Sequence, residues 1–582
     1  MLEFIQLLNQ RYQTILSQRE YDVDKISYQQ RIDQLVLTEA FIRRGQYIKA
    51  TSSQPLQISV IGPTQAGKSS IVNVLLDSNL ANVSPLAGHT IHPQGYAQRD
   101  NLEECEGLQR YFGRFQRMSQ DMLPRDRHDC YSVSQVDSKS AFLPSAVLWD
   151  TPDFDSIDSS VYREGVLRAI ALADVIVLVV SKEKYADQSV WDMMSVLEAL
   201  HQPTIICLNK LSEGSEDLLL ESLKEKWSLV RTDSFPTVVP LYYQKNIGLP
   251  LWPNAHRDVL KKLISQVDRK KQGRYEQELV QTYWQEWLEP IISEHQAAAE
   301  WQKMVAVAIE QALQNYQRDY LNHPHHYETF QHALAELLTL LEIPGLAGFL
   351  TGARKVLTWP IRKIMNLGQK RLHIADSSQE LVLLNQIAEH TLIQLMDQLM
   401  DKAESEQQRL WWKEVSGLLR RQRQDLLLAF TQAALRYHLA FQQDVEKTAQ
   451  RLYHKLQEQP LLLNSLRATR VTADATAIAL TLHMGGIGVH DLVFAPAMLT
   501  MTTLLTESAM GSYMHRVEND LKQQQLHTVK QTLFIENIGK VLATLPEQLS
   551  SLTHFNISDA QVKAVEQQFT EKRHGLRLLR FS

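Results

Sequence analysis

Apolar and polar positions divide the chain into three stretches. Over residues 1–50, Phe4, Leu7, Leu8, Tyr12 and Ile15 recur at three- and four-residue spacing, and Ile32, Leu35, Val36, Ala40 and Ile42 repeat the pattern. That period predicts two helices, too few to close a core of their own. Residues 1–54 are therefore expected to pack on the helical region that comes later. After the polar break Thr51-Ser52-Ser53-Gln54-Pro55, β-like runs alternate with helical stretches to about residue 270. The runs are Ile58–Ile61, Ala146–Trp149, Val175–Val180, Thr204–Leu208 and Thr237–Leu241, several of them continuous and apolar, as strands buried on both faces are. This predicts an α/β domain over 55–270 with a mostly parallel sheet between helices. From 271 to 582 strand signals almost vanish. Leu381, Leu384, Ala388, Leu392, Leu395 and Leu399 form one helical stripe, and Trp411, Val415 and Leu418 begin another. Prolines at 290, 324, 344, 360, 460, 496 and 546 are candidate helix breaks. The expectation is an elongated, all-α bundle. No internal repeat of fixed period is present.

Composition narrows the class. A chain of 582 residues suggests two to four domains. Its net charge of −6 gives no global attraction to nucleic acid or anionic lipid, so any such attraction is local, and no nucleic-acid partner is expected. The three cysteines, Cys105, Cys130 and Cys207, lack metal-site or disulfide spacing and suit a reducing compartment. The start lacks the basic and apolar regions of a secretory signal, and no apolar run reaches the roughly 20 residues of a spanning helix. A cytoplasmic protein, peripheral on the inner face of a membrane, is the expected localisation.

The chemistry concentrates in Gly62-Pro63-Thr64-Gln65-Ala66-Gly67-Lys68-Ser69-Ser70, which fits G-x-x-x-x-G-K-[ST]. A strand signal precedes it and a helix opening follows, the context in which that motif cradles phosphate. Gly62 and Gly67 let amides turn inward, and the amides of Gln65, Ala66, Gly67 and Ser70 belong to the same loop and helix N-terminus. Lys68 is placed to reach the β- and γ-phosphates and Ser69 to ligate Mg²⁺. Asp150, at the end of an apolar strand in Asp150-Thr151-Pro152-Asp153-Phe154-Asp155-Ser156, occupies the place of a second Mg²⁺-linked carboxylate. Thr90 reads either as a switch threonine closing over Mg²⁺ and the γ-phosphate or as an ordinary loop residue. Asn209-Lys210, ending the strand from Thr204, fits a base-binding position.

On these residues the chain resembles the translation-factor-related GTPases, and among them the bacterial dynamin-like group. The resemblance is specific over about 200 residues and stylistic over the helical remainder. It implies a P-loop GTPase domain joined to a long all-α helical domain with a membrane-binding tip, with Mg²⁺ as cofactor, GTP as substrate and GDP as product. It implies catalytic roles for Gln65, Lys68, Thr90 and Asp150, metal contacts from Ser69, Thr90 and Asp150, and nucleotide contacts from Gly62, Gln65, Ala66, Gly67, Lys68, Ser69, Ser70, Asn209 and Lys210. There are three departures. The family's DxxG ends in Asp153, which keeps the amide but adds a negative side chain. Its NKxD ends in Ser212, which removes the carboxylate that reads guanine; Glu213 is the nearest acid. Gln65 stands where dynamins carry a serine that positions the attacking water. Tyr242-Tyr243-Gln244-Lys245 is a candidate remaining base-side loop.

Two segments bear on membranes. Within 343–371, Arg354, Lys355, Arg362, Lys363, Lys370 and Arg371 occur without an acid and alongside Leu346, Phe349, Leu350 and Trp359. That mix suits an anionic headgroup surface. The stretch 475–506 is uncharged except for Asp491 and reads either as a shallow membrane hairpin or as two helices of a bundle core. His323, His325, His326 and His332 read as a polar loop rather than a metal site. Two functions are compatible with this reading. One is a GTPase coupling hydrolysis to movement of a helical arm on a membrane. The other is a soluble nucleotide-dependent switch or scaffold whose helical domain binds a protein partner. Either accommodates a homo-oligomer.

Overall fold

The computed structural model describes residues 1–18, 25–50, 54–83, 90–98, 107–136, 143–155, 159–211, 214, 216–230, 234–242, 253–323, 379–405, 409–458 and 511–578. The chain forms two compact units, Met1–Ile292 with Ser550–Ser582, and Ser293–Leu549. The predicted segments 343–371 and 475–506 lie outside the described residues.

The first unit is built on an eight-stranded sheet. Its strands are β1 (Leu56–Ile61), β2 (Gln94–Gln98), β3 (Gln116–Met118), β4 (Cys130–Val136), β5 (Ala146–Asp150), β6 (Val175–Ser181), β7 (Thr204–Leu211) and β8 (Thr237–Tyr242). Their order is β3-β4-β2-β5-β1-β6-β7-β8, parallel throughout except where β2 meets β5. The five apolar runs of the sequence are β1, β5, β6, β7 and β8. Period-two alternation sends Val175, Val177 and Val179 of β6 to one core and Ile176, Leu178 and Val180 to the other. Helices α3 (Lys68–Leu76) and α8 (Asn254–Ser265) cover the first face. Helices α4 (Gly107–Phe112), α5 (Ser159–Leu172) and α6 (Gln188–Leu200) cover the second, and α7 (Glu216–Val230) packs on it through Leu223 and Trp227.

Helices α1 (Leu2–Gln18) and α2 (Lys25–Ala50) join that second core. The expectation placed 1–54 on the helical region. In the structure α2 instead lies along α5 and α4, with Arg168 donating to Glu39 at 2.7 Å. The parts of the helical half that these helices touch are the start of α9 (Gln272–Tyr316) and the segment around Ser551 and Phe555. There the Tyr12 hydroxyl donates to the Trp287 carbonyl at 2.8 Å and Arg31 pairs with Glu289. The predicted boundary at 270/271 correspondingly differs from the observed division. Residues 272–292 stay with the sheet, and Phe555, Ile557 and Val562, the last on α14 (Asp559–Leu578), return to its core. Pro290 does not end α9. A helix-interior proline costs one backbone hydrogen bond, and here the turn is held by buried Leu288 and Ile291.

The second unit is helical among its described residues. It comprises the rest of α9, a π-helical turn Gln317–Leu321, α10 (Gln379–Ser405), α11 (Arg409–Gln457), α12 (Gly511–Thr528), a π-helical segment Val529–Gly539 and α13 (Lys540–Thr544). All six leucine and alanine positions of the predicted α10 stripe are buried. Glu380, 1% exposed, accepts from the hydroxyls of Tyr316 and Tyr437, from Gln525 and from His438, so the core carries one satisfied polar knot. The architecture is an α/β P-loop domain with a long helical region, as the periodicity implied.

Candidate functional site: a phosphate loop with a buried carboxylate

Parallel strands direct their carboxyl ends to one edge of the sheet, and the loop after β1 lies there. Gly62 is required because a Cβ would meet the Val179 carbonyl oxygen at 2.2 Å. Gly67 adopts φ 96°, a left-handed conformation open to glycine, and caps the N-terminus of α3. A Cβ on it would also lie 2.4 Å from Asn209 Nδ2. Gln65 has a positive φ of 59°.

Lys68, Ser69, Asp150 and Asp153 converge at this loop. Lys68 is buried, donates to the Pro63 carbonyl at 3.3 Å and pairs with the Asp153 carboxylate. Ser69 Oγ donates to Asp150 Oδ2 at 2.6 Å. Asp150 Oδ1 is buried with no hydrogen-bond partner. Burial is the main reason that the Asp150 carboxyl is pushed up to about 6; Asp153 adds to the rise, while Ser69 and Lys68 oppose it. Ser70 is half-buried in the first turn of α3.

Asn209 and Lys210 end β7 and reach the phosphate loop. Asn209 Nδ2 donates to the Ala66 carbonyl at 2.9 Å, and Lys210 Nζ to the Gln65 carbonyl at 2.7 Å. The strand can turn there because Lys210 takes a positive φ and the β7–β8 register shifts between Leu208 and Leu211. Thr90 is half-buried and precedes β2, whose Gln94 lies opposite Asp150 in the antiparallel pairing. The topology therefore brings Thr90 to the phosphate edge, but no hydrogen bond joins its side chain to Lys68, Ser69 or Asp150. Ser212, Glu213 and residues 243–245 of the candidate base-side loop lie outside the described residues.

Asp155, Thr64 and Lys184 belong to no residue set that the motifs single out. Asp155 accepts from the Thr64 amide at 2.5 Å and hydroxyl at 2.7 Å, and from Lys184 Nζ at 3.1 Å. Burial would raise its pKa, but the two Thr64 hydrogen bonds and Lys184 outweigh it and hold the carboxyl below the ordinary value. Thr151 Oγ1 donates to the Val60 carbonyl at 2.9 Å. The segment 151–155 is thus tied to β1 at one end and to the phosphate loop at the other. Its signal in the sequence was the third acid of the Asp150-Thr151-Pro152-Asp153-Phe154-Asp155 run; Lys184 left none.

The donor set fits Mg²⁺. A hydroxyl and a carboxylate with an orphaned buried oxygen, beside a lysine on a phosphate loop, match a hard cation that takes its other ligands from water and phosphate. Among the described residues no cluster of three or more His, Cys, Asp or Glu side chains is placed to hold a metal by itself. No helix among them is long and apolar enough to cross a membrane.

The model of the 50S ribosome-binding GTPase family matches residues 57–210. No curated protein matches the sequence. Among solved structures, two chains of an oligomerised bacterial dynamin pair, described as sensing and tethering membranes at long range, align with this chain. The first does so at 12% identity and a TM-score of 0.41, over 95% of this chain and 96% of the other. The second gives 13% and 0.33, over 94% and 90%. LeoA, a bacterial dynamin GTPase from ETEC, aligns at 12% identity and a TM-score of 0.25 over 94% and 97%. The phosphate loop, the carboxylate beside it, the sheet that presents them and the matching family model make residues 57–210 a P-loop GTPase domain.

Proposed function

We propose that the chain is a dynamin-like GTPase that couples Mg²⁺-dependent GTP hydrolysis to movement of its helical region at an anionic membrane surface. The observation that carries the nucleotide chemistry is the meeting of Lys68, Ser69 and Asp150 on one phosphate loop. Lys68 holds the β- and γ-phosphates. Ser69 and Asp150 would hold Mg²⁺, which would supply positive charge against the phosphates. Gln65 would orient the attacking water through its side-chain amide, and Thr90 would cover the γ-phosphate and the metal. Gly62, Ala66, Gly67 and Ser70 contribute the backbone cradle. Asn209 and Lys210 stand on the base side and brace the loop.

The arm reading is supported by α9, which is continuous from Gln272 to Tyr316 although the compact units divide at Ile292/Ser293. The membrane reading is supported by the acid-free, basic and Trp-containing sequence of 343–371. Self-association is the expected route to cooperative action on a surface.

The test is turnover of GTP and ATP side by side, with and without anionic liposomes. GTP turnover that exceeds ATP turnover and responds to liposomes is expected. GTP turnover indifferent to liposomes, with no co-sedimentation, would replace the membrane reading by that of a switch acting on a protein partner.

A further inference from the structure

Asp153 occupies the position at which the resembled GTPases carry a glycine, and its side chain is where the chemistry departs from theirs. The carboxylate pairs with Lys68 Nζ, and the two side chains are 10% and 6% exposed. An ion pair so desolvated is strong for as long as it is intact, because water screens it little. Its placement is built. Thr151 is fastened to the Val60 carbonyl, and Asp155 to both the amide and the hydroxyl of Thr64. The short span between these fixed points puts the Asp153 carboxylate on Lys68. Lys184 fastens the same span from outside through Asp155.

We propose that Asp153 is an internal anion that competes with the nucleotide's phosphates for Lys68, and so sets the affinity and phosphate selectivity of the site. Resting on the GTPase reading above, this goes beyond it by assigning a role to a side chain that a glycine-bearing site lacks. A phosphate chain must displace the carboxylate from Lys68 before the lysine can hold it. The displaced carboxylate then stands beside added negative charge, which favours its return once phosphate leaves. The residue acts through Lys68 and is a positioning residue rather than a catalytic one.

The test is equilibrium binding of fluorescent GTP, GDP and GMP analogues to wild type, Asp153→Asn and Asp153→Gly. Asp153→Asn keeps the shape and removes the charge; Asp153→Gly removes the side chain. A hydrogen bond to a charged group is worth about 1.5–3 kcal/mol and each 1.4 kcal/mol is tenfold, so both variants are expected to bind GTP at least about tenfold more tightly. GDP should gain less, and GMP, which lacks the β- and γ-phosphates that Lys68 would hold, should gain little. Unchanged or weaker GTP binding in both variants overturns the proposal, and so does an equal gain for GMP, since the effect would then not run through Lys68. The GTPase reading fails differently: there, neither wild type nor variants bind any of the three, and Lys68→Ala changes nothing.

Discussion

Asp174 is the perturbation that probes how the nucleotide unit holds the start of α9. It lies at the entry to β6, the end of the strands opposite the phosphate loop. Its carboxylate accepts from Arg44 at 2.7 Å, from Arg269 at 2.6 and 3.1 Å, and from the Gln57 amide at 2.9 Å. Arg44 belongs to α2, and Arg269 lies three residues before α9. The Asp174 and Arg44 side chains are 1% and 7% exposed and that of Arg269 23%. Asp174→Ala leaves the buried Arg44 guanidinium with Gln272 but no opposing charge, and the partly buried Arg269 with only the Gln54 and Pro55 carbonyls. Removing one partner of a buried pair costs about 3–5 kcal/mol, whereas an exposed pair such as Lys563–Asp559 is screened by water and contributes little. Hydrogen exchange at β6 and the first turns of α9 is the assay, with Asp559→Ala as control. A loss of 3–5 kcal/mol corresponds to exchange roughly a hundredfold to a few thousandfold faster. Burial alone would raise the Asp174 pKa, but Arg44 and Arg269 overcome this and hold it low. A depressed folded-state value means that the carboxylate's contribution is present above the unfolded value of about 3.9 and is lost as pH falls through the folded one. The difference from Asp174→Asn should therefore be full at neutral pH and shrink only below about pH 4. A loss under about 1 kcal/mol would refute the reasoning, since an unpaired buried charge cannot be so cheap.

The other expectations are more local. Gly67→Ala should abolish nucleotide binding, because a Cβ meets Asn209 Nδ2 at 2.4 Å and the residue needs φ 96°; calorimetric titration with GTP checks it, and wild-type affinity would contradict it. Ser212→Asp should raise the GTP-to-ATP preference by supplying the carboxylate that accepts from guanine; competition binding checks it, and a preference already near absolute in wild type would mean that another residue reads the base. Replacing Arg354, Lys355, Arg362 and Lys363 by Glu should release the chain from anionic liposomes while leaving basal turnover intact, since each basic group near such a leaflet is worth about 1 kcal/mol. Co-sedimentation at several salt concentrations checks it, and unchanged binding would remove 343–371 from the membrane reading.

What the sequence displayed depended on how completely a segment was buried. The strands β5, β6 and β7 were legible because both faces are covered, which demands continuous apolar residues, whereas β1 and the edge strand β8 showed through shorter apolar positions, Ile58, Val60 and Ile61 in one and Val238, Val239 and Leu241 in the other. β2 (Gln94–Gln98) and β4 (Cys130–Val136) were not, since Gln94, Gln98, Ser132, Ser134 and Gln135 break the apolar run. β3 is too short to show a period. The docking of α2 was hidden for a related reason. Arg31, Glu39 and Arg44 are buried in ion pairs with partners 129 or more positions away, and no local pattern announces those partners. In the site, the glycines, Lys68, Ser69 and Asp150 were legible because phosphate and metal chemistry demand those residue types at that spacing. The Asp153–Lys68 pair and the Asp155–Thr64 tie depend on how 151–155 folds back on the loop, which spacing does not encode.

The central claim is that Ser69 and Asp150 hold the metal of a GTP-hydrolysing site, and a Mg²⁺ titration of GTP turnover tests it most directly. Wild type should require Mg²⁺. Asp150→Asn keeps the side-chain shape but loses the charge, and should abolish the Mg²⁺-stimulated rate at concentrations that saturate wild type. For wild type, the Mg²⁺ concentration needed for stimulation should rise as pH falls through about 6, because protons then compete with the metal for the buried Asp150 carboxyl. A wild-type-like Mg²⁺ response in Asp150→Asn would contradict the account.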